Sequence, residues 1–266
     1  MREAASGVMG RGVDLAFLIA ATLLAAVGGA LGMRSLHHGR RSKATVFWMI
    51  AVFVAQLGFL SIRGQARGAC PLVGIGEILV FLAWSLTLIY LLVGPTYRLS
   101  LLGVFSAPVI VLFQGVALIP GVLDPDPTKV ATTDAWRETH SAMSVLGYGA
   151  LALAAVSSVM FLVLDRQLKD HHLASGLFRN LPPVRELLVS GRRLLWLGWG
   201  MLTIGVAAGF LMERDGGGAH LVAAVAVWVA YAALVGVAQF RGLTGRKFSV
   251  LCVVLFVASL SVFALV

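Results

Sequence analysis

The sequence predicts an all-α integral membrane protein that crosses the bilayer eight times, as a single polytopic domain over residues 1–266. Three observations carry that expectation. Only 12% of the 266 residues are charged and 59% are hydrophobic, where a soluble domain carries about a quarter charged residues. The mean hydropathy is +0.92. Eight apolar stretches occur, at about 13–33, 44–62, 75–93, 99–123, 142–164, 194–212, 221–240 and 248–266. Each is near the ~20 residues that a helix rising 1.5 Å per residue needs to cross a hydrocarbon layer about 30 Å thick.

In chain order, the first stretch (13–33) ends in the basic run "MRSLHHGRRSK". Such a flank retains a helix rather than exporting it, so no cleavable signal is expected. The second stops before Arg63 and carries Gln56. The third opens with Glu77 and contains Trp84, read as a packing ring. The fourth contains Gln114 and Pro108, and "SAPVIVLFQG" makes it the one candidate for a broken helix. Gln56 and Gln114 are expected to cross-bond neighbouring helices, for under about 2 kcal/mol each. The fifth follows His140, and the sixth follows the basic, Pro182-Pro183-bearing segment 165–193, which is expected to lie along the inner surface. The seventh follows His220, and the eighth ends the chain. No low-complexity tract and no internal repeat stands out.

Alternating loops sort the charges by side. Fourteen of the 21 basic residues, Arg40, Arg41, Lys43, Arg166, Lys169 and Arg193 among them, share one side. Arg63, Arg67, Lys129 and Arg137 belong to the other, which holds nine of the 12 acids. The basic side is therefore cytoplasmic and both termini lie outside, in a bacterial-type inner membrane. This pattern accounts for the net charge of +9, so membrane lipid rather than nucleic acid is the expected surroundings. The two cysteines, Cys70 and Cys252, form no CxxC, which excludes a dithiol motif and a cysteine-ligated zinc site. Lying near opposite faces, they cannot share a disulfide. No nucleophile–base pair, P-loop or deep carboxylate pair occurs, and no independent catalysis is expected. Asp14, Glu77, Glu213 and Asp215 lie near span ends, which argues against a small-molecule transporter.

Six histidines remain. His37, His38, His171 and His172 form adjacent pairs in basic loops and read as solvated. His140 and His220 differ, because each opens an apolar span on the outer side. On the residues alone the pair is either interfacial and amphipathic or a bis-axial ligand set for a non-covalent haem b. No CxxCH is present for covalent attachment. Ser144 and Tyr148 follow His140 at four-residue steps on one helix face, where they could orient the ligand ring or contact cofactor propionates. Trp228 lies two turns beyond His220. Glu77 has two readings, favourable interaction with a helix N-terminus and a role near a cofactor.

Three stretches resemble a known family. They are "CPLVGIGEILVFLAWSLTLIYLLVGPTYRLSLLGVFSAPV", "THSAMSVLGYGALALAAVSSVMFLVLDRQLK" followed by "LPPV", and "AHLVAAVAVWVAYAALVGVAQFRGLTGRK". Over about residues 65–250 they resemble the integral-membrane cytochrome c assembly proteins of the CcsA/CcmC type, nearer the HemX- and YpjD-like branch. The resemblance implies haem handling at the outer face during cytochrome c maturation, with His140 and His220 as the iron ligands and an assembly subunit or apocytochrome as partner. Haem-attaching members carry a tryptophan-rich WWD segment, where this chain has "ERDGGGAH", and a histidine pair within the membrane, which this chain lacks. The resemblance therefore points to an accessory or regulatory haem protein; a cofactor-free scaffold for a haem-biosynthesis enzyme or cytochrome complex is the alternative.

Overall fold

The structure is a computed structural model that describes residues 2–37, 44–72, 74–93, 100–123, 134–169, 184–212 and 219–265. Its helices are α1 (Arg2–His37), α2 (Ala44–Arg67), α3 (Ile75–Val93), α4 (Ser100–Ala117), α5 (Ala135–Lys169), α6 (Val184–Leu211), α7 (Ala219–Phe240) and α8 (Gly245–Ser259), followed by a 3₁₀ turn, Leu260–Leu265. No strand occurs among the described residues. Seven of the helices are long and apolar enough to cross a membrane, the make-up of a multi-pass membrane protein; α4 is the shorter exception.

Several boundaries differ from the sequence expectation. Helix α4 ends at Ala117 instead of 123, where residues 118–123 turn and Gly121 adopts φ +88°, a conformation glycine reaches without a Cβ penalty. Pro108 sits inside α4 and the helix runs through it, so the one candidate for a broken helix is continuous. Helices α5 and α6 both extend into the basic segment, placing Arg185 and Arg192 on α6 rather than along a surface. The Arg192 guanidinium lies 5.6 Å from the Phe248 ring centroid and donates to the Leu243 carbonyl at 3.4 Å. Residues 170–183, with His171, His172 and Pro182-Pro183, lie outside the described residues, as do His38 and the side chain of His37.

The bundle has two halves. Helices α1, α2, α3 and α4 pack on one another, α5 packs on α6 and α8, α7 bridges α6 and α8, and α5 also contacts α3 and α4. Helix α5 is therefore the shared element. Its antiparallel contact with α6 runs through residues without side chains. A Cβ at Gly198 would lie 2.6 Å from Leu151 Cγ and 3.0 Å from the Gly147 carbonyl oxygen, and one at Gly147 would lie 3.0 Å from the Gly198 carbonyl. Gly191, Gly198 and Gly205 recur every seven residues, so one stripe of α6 faces α5 throughout. In lipid, where apolar side chains gain nothing by leaving the solvent, this close approach supplies the association. Toward α3, the Ser85 hydroxyl meets α5 at Gly149 and donates to the Leu146 carbonyl at 3.3 Å.

The first half is fastened by charge. Helix α2 continues to Arg67, so Arg63 and Arg67 are buried helix residues rather than loop cations. Arg63 Nε meets Asp14 at 2.7 Å and its Nη1 meets Glu77 at 3.2 Å, while Arg67 Nε lies 2.9 Å from the other Glu77 oxygen. Two arginines and two carboxylates thus tie α1, α2 and α3 together with no local net charge. By contrast, Gln56 and Gln114 are fully buried and their amides bond to nothing, so the expected cross-bonds are not formed. Trp84 packs on Phe53 and Phe81, at centroid distances of 5.7 and 5.1 Å.

Three outcomes are expected in equilibrium unfolding of the purified protein. Gly198→Ala destabilises by about 1–3 kcal/mol through overpacking, whereas Gly200→Ala, whose Cβ would meet nothing within 4 Å, gains up to about 1 kcal/mol of helix propensity. Glu77→Ala, which removes the acceptor shared by two buried guanidiniums, costs about 3–5 kcal/mol.

Candidate functional site

The site begins with the start of α5. Asp134 precedes the helix and its Oδ1 accepts the Trp136 amide at 3.0 Å, the bond of an N-cap residue. That cap starts the helix at Ala135, seven residues earlier than the apolar run suggests. His140 consequently lies in the second turn, inside the helix rather than at its mouth, and is only 6% exposed.

The His140 ring turns toward α6. Its Nδ1 lies 2.7 Å from the Gly205 carbonyl oxygen, a bond in which the ring N–H donates. Ser144, one turn along, faces the same glycine: a Cβ at Gly205 would lie 2.6 Å from Ser144 Oγ. Gly209, one turn further on α6, is where three helices meet. A Cβ there would stand 2.8 Å from His140 Nδ1 and 3.2 Å from Leu221 Cδ1 of α7. His220 immediately precedes Leu221 in the first turn of α7, so the backbone carries it to the level of His140; its side chain lies outside the described residues. Helix α7 is held on α6 deeper in the bundle, where Trp228 Nε1 donates to Thr203 Oγ1 at 2.8 Å and stacks on Trp199 at 5.9 Å.

The other two expected residues are engaged elsewhere. The Tyr148 hydroxyl donates to the Ser259 carbonyl at 3.1 Å, and its ring packs on Phe263 at 4.7 Å, tying α5 to the end of α8. Glu77 belongs to the arginine cluster. That cluster is nonetheless level with the site, because Ser85 meets Leu146 and each lies eight residues past Glu77 and Glu138 respectively. Loops 124–133 and 213–218 lie outside the described residues.

Residues missed from the sequence are Gly205, Gly209, Arg63, Arg67 and Asp14. The seven-residue glycine spacing of α6 was a legible signal for the first; the four-residue Arg63–Arg67 spacing, which puts both on one helix face, was one for the cluster. Among the described residues no three of His, Cys, Asp and Glu gather as a metal cage. The nitrogen donor described here is the His140 imidazole.

Cys70, between α2 and α3, reports on the same level. Its thiol is pushed up to about 11, chiefly by burial and then by the negative charges of Glu138 and Glu77. Being neutral below that value, it should alkylate slowly at pH 7–8. With iodoacetamide, its rate should keep rising about tenfold per pH unit beyond pH 9, the region where an ordinary thiol levels off; a plateau at pH 9 would show that the thiol is not enclosed.

Residues 72–265 match the family model described as cytochrome C assembly protein. Similar proteins include the cytochrome c biogenesis protein CcsA of Chlamydomonas reinhardtii, 26% identical over 239 residues that cover 85% of this chain and 66% of that protein. The CcsA of Trieres chinensis is 27% identical over 240 residues, covering 76% of this chain and 77% of the relative. That of Gloeobacter violaceus is 23% identical over 300 residues, covering 91% and 88%. The matched segment takes in α3, the arginine-bound Glu77, the α5–α6 seam with His140, and the approach of α7 at Gly209; the chain belongs to the cytochrome c assembly protein family.

Proposed function

We propose that the chain, whose family and relatives place it in cytochrome c biogenesis, serves there as an accessory haem-binding factor. In this reading a non-covalent haem b is held between His140 and His220 at the outer face of the membrane. The observation that carries it is the convergence at Gly209, where the buried His140 ring and the first turn of α7 meet on one glycine of α6. The residues suit the group, since a ligating imidazole ordinarily gives its second ring nitrogen to a carbonyl or carboxylate, as His140 Nδ1 does to Gly205. A haem held there would supply a redox-active iron.

The protein's own part is to bind and orient. Gly205 orients His140, and the α5–α6 seam excludes water from its inner side. The arginine cluster keeps α1, α2 and α3 fixed at the same level. In the orientation proposed here the chain crosses a bacterial-type inner membrane eight times with both termini outside, α4 completing the count despite its length. The segment between α6 and α7, "ERDGGGAH", carries no tryptophan. That supports an accessory role beside an assembly subunit or apocytochrome rather than haem attachment by this chain alone, and no catalysis of its own.

The test is a reduced-minus-oxidised absorption spectrum of the detergent-purified protein and of His140→Ala and His220→Ala. Low-spin b-type bands should appear in the wild type and fall with either substitution, while abundance in the membrane stays nearly unchanged. A wild type without haem even after hemin is added would favour the cofactor-free scaffold.

A further inference from the structure

We infer that α6 selects which nitrogen of His140 faces the iron, with Gly209 as the positioning residue; this rests on the haem reading above. In a neutral imidazole one nitrogen carries the proton and the other the lone pair. The Gly205 carbonyl can only accept, so the 2.7 Å contact assigns a proton to Nδ1, and in the neutral ring the lone pair then belongs to Nε2. Nε2 is then the ligating nitrogen.

Gly209 is what makes that bond possible. A helix carbonyl points along the axis toward the residue four positions on, so a side chain at 209 would overhang the Gly205 carbonyl. Glycine leaves that approach open from the neighbouring helix. A methyl group at 209 would stand 2.8 Å from Nδ1 and 3.1 Å from Cε1 of His140, and 3.2 Å from Leu221 Cδ1. The ring occupies the room that the missing Cβ provides. It cannot simply retreat, because the Gly147–Gly198 contact holds the two backbones together about two to three turns below, and Ser144 fills the space against Gly205. A methyl at 209 must therefore tilt the ring, break the Nδ1 bond and release the choice of tautomer. The same methyl presses on Leu221, so it displaces the turn that carries His220 as well.

The experiment compares wild type, Gly209→Ala and Gly200→Ala. The last adds the same methyl to the same helix in open space and so controls for helix propensity. The first measurement is the ¹⁵N spectrum of histidine-labelled, haem-free protein in lipid nanodiscs, with His140→Gln for assignment. The wild type and Gly200→Ala should show a protonated Nδ1 and an unprotonated Nε2 on His140, a pattern lost in Gly209→Ala. The second is a hemin titration, in which Gly209→Ala should bind 10-fold or more weakly, the loss typical when a ligand's orienting partner is removed, while Gly200→Ala matches the wild type. A proton on Nε2 in the wild type, or equal hemin affinity for Gly209→Ala, overturns the inference while leaving haem binding standing. A wild type that takes up no hemin overturns the haem reading itself and this inference with it. Should Gly209→Ala fail to fold, the wild-type ¹⁵N spectrum alone still decides the tautomer.

Discussion

The close antiparallel contact of α5 and α6 is the constraint on which the rest of the structure depends. Gly147 and Gly198 bring the two backbones to within van der Waals distance. In a bilayer, packing at such range replaces the hydrophobic drive that holds soluble helices together. Once α6 covers one face of α5, its remaining faces are taken by α3, α4 and α8, and α5 becomes the axis of the molecule. The same contact decides the fate of His140. With side chains on α6 the ring would be held away from the helix; with glycines it is buried against a carbonyl that a neighbouring helix rarely reaches.

Polar chemistry is sorted by depth. The Asp14–Arg63–Glu77–Arg67 cluster, Cys70, Glu138 and His140 fall at one level. Deeper in the bundle, several hydroxyls answer to a carbonyl of their own helix, as in Thr87 to Ala83, Ser106 to Leu102 and Thr203 to Trp199. Burying ions costs several kcal/mol each and is repaid only with good geometry and further hydrogen bonds. The cluster is a fixed anchor in these terms, since its charges cancel and each carboxylate serves at least one guanidinium. A site built beside such an anchor has one rigid wall, provided by α1, α2 and α3, and a second provided by the α5–α6 seam.

What could be read of the site from the sequence was the identity of its candidates. His140 and His220 stand out because an imidazole at the edge of an apolar run has few ordinary reasons to be there. Their neighbours were harder. Ser144 shares a helix face with His140, and it does meet the same glycine; Tyr148 was assigned to that face too, yet eight residues rotate it away by most of a quarter turn and it finds Ser259 instead. Glu77 was visible as an acid at a helix start, but its partners Arg63 and Arg67 looked like loop cations because charged residues end an apolar count. A charge can extend a buried helix when another helix brings the opposite charge, and a hydropathy pattern contains no record of that second helix.

The sequence by itself determined the class of the protein: its scarcity of charge and its apolar runs of helix-spanning length leave an all-helical membrane bundle as the workable fold, because lipid requires every backbone group to be satisfied within the protein and a run of about 20 apolar residues does so as a helix. Most helix positions follow from the same rule. Only the tertiary structure decided which polar residues are paired, where α2 and α5 truly begin and end, and how His140 is turned. Those outcomes depend on distances between helices far apart in the chain. Such distances are set by where glycine lets backbones touch and where opposite charges meet, and neither is a property of any one segment.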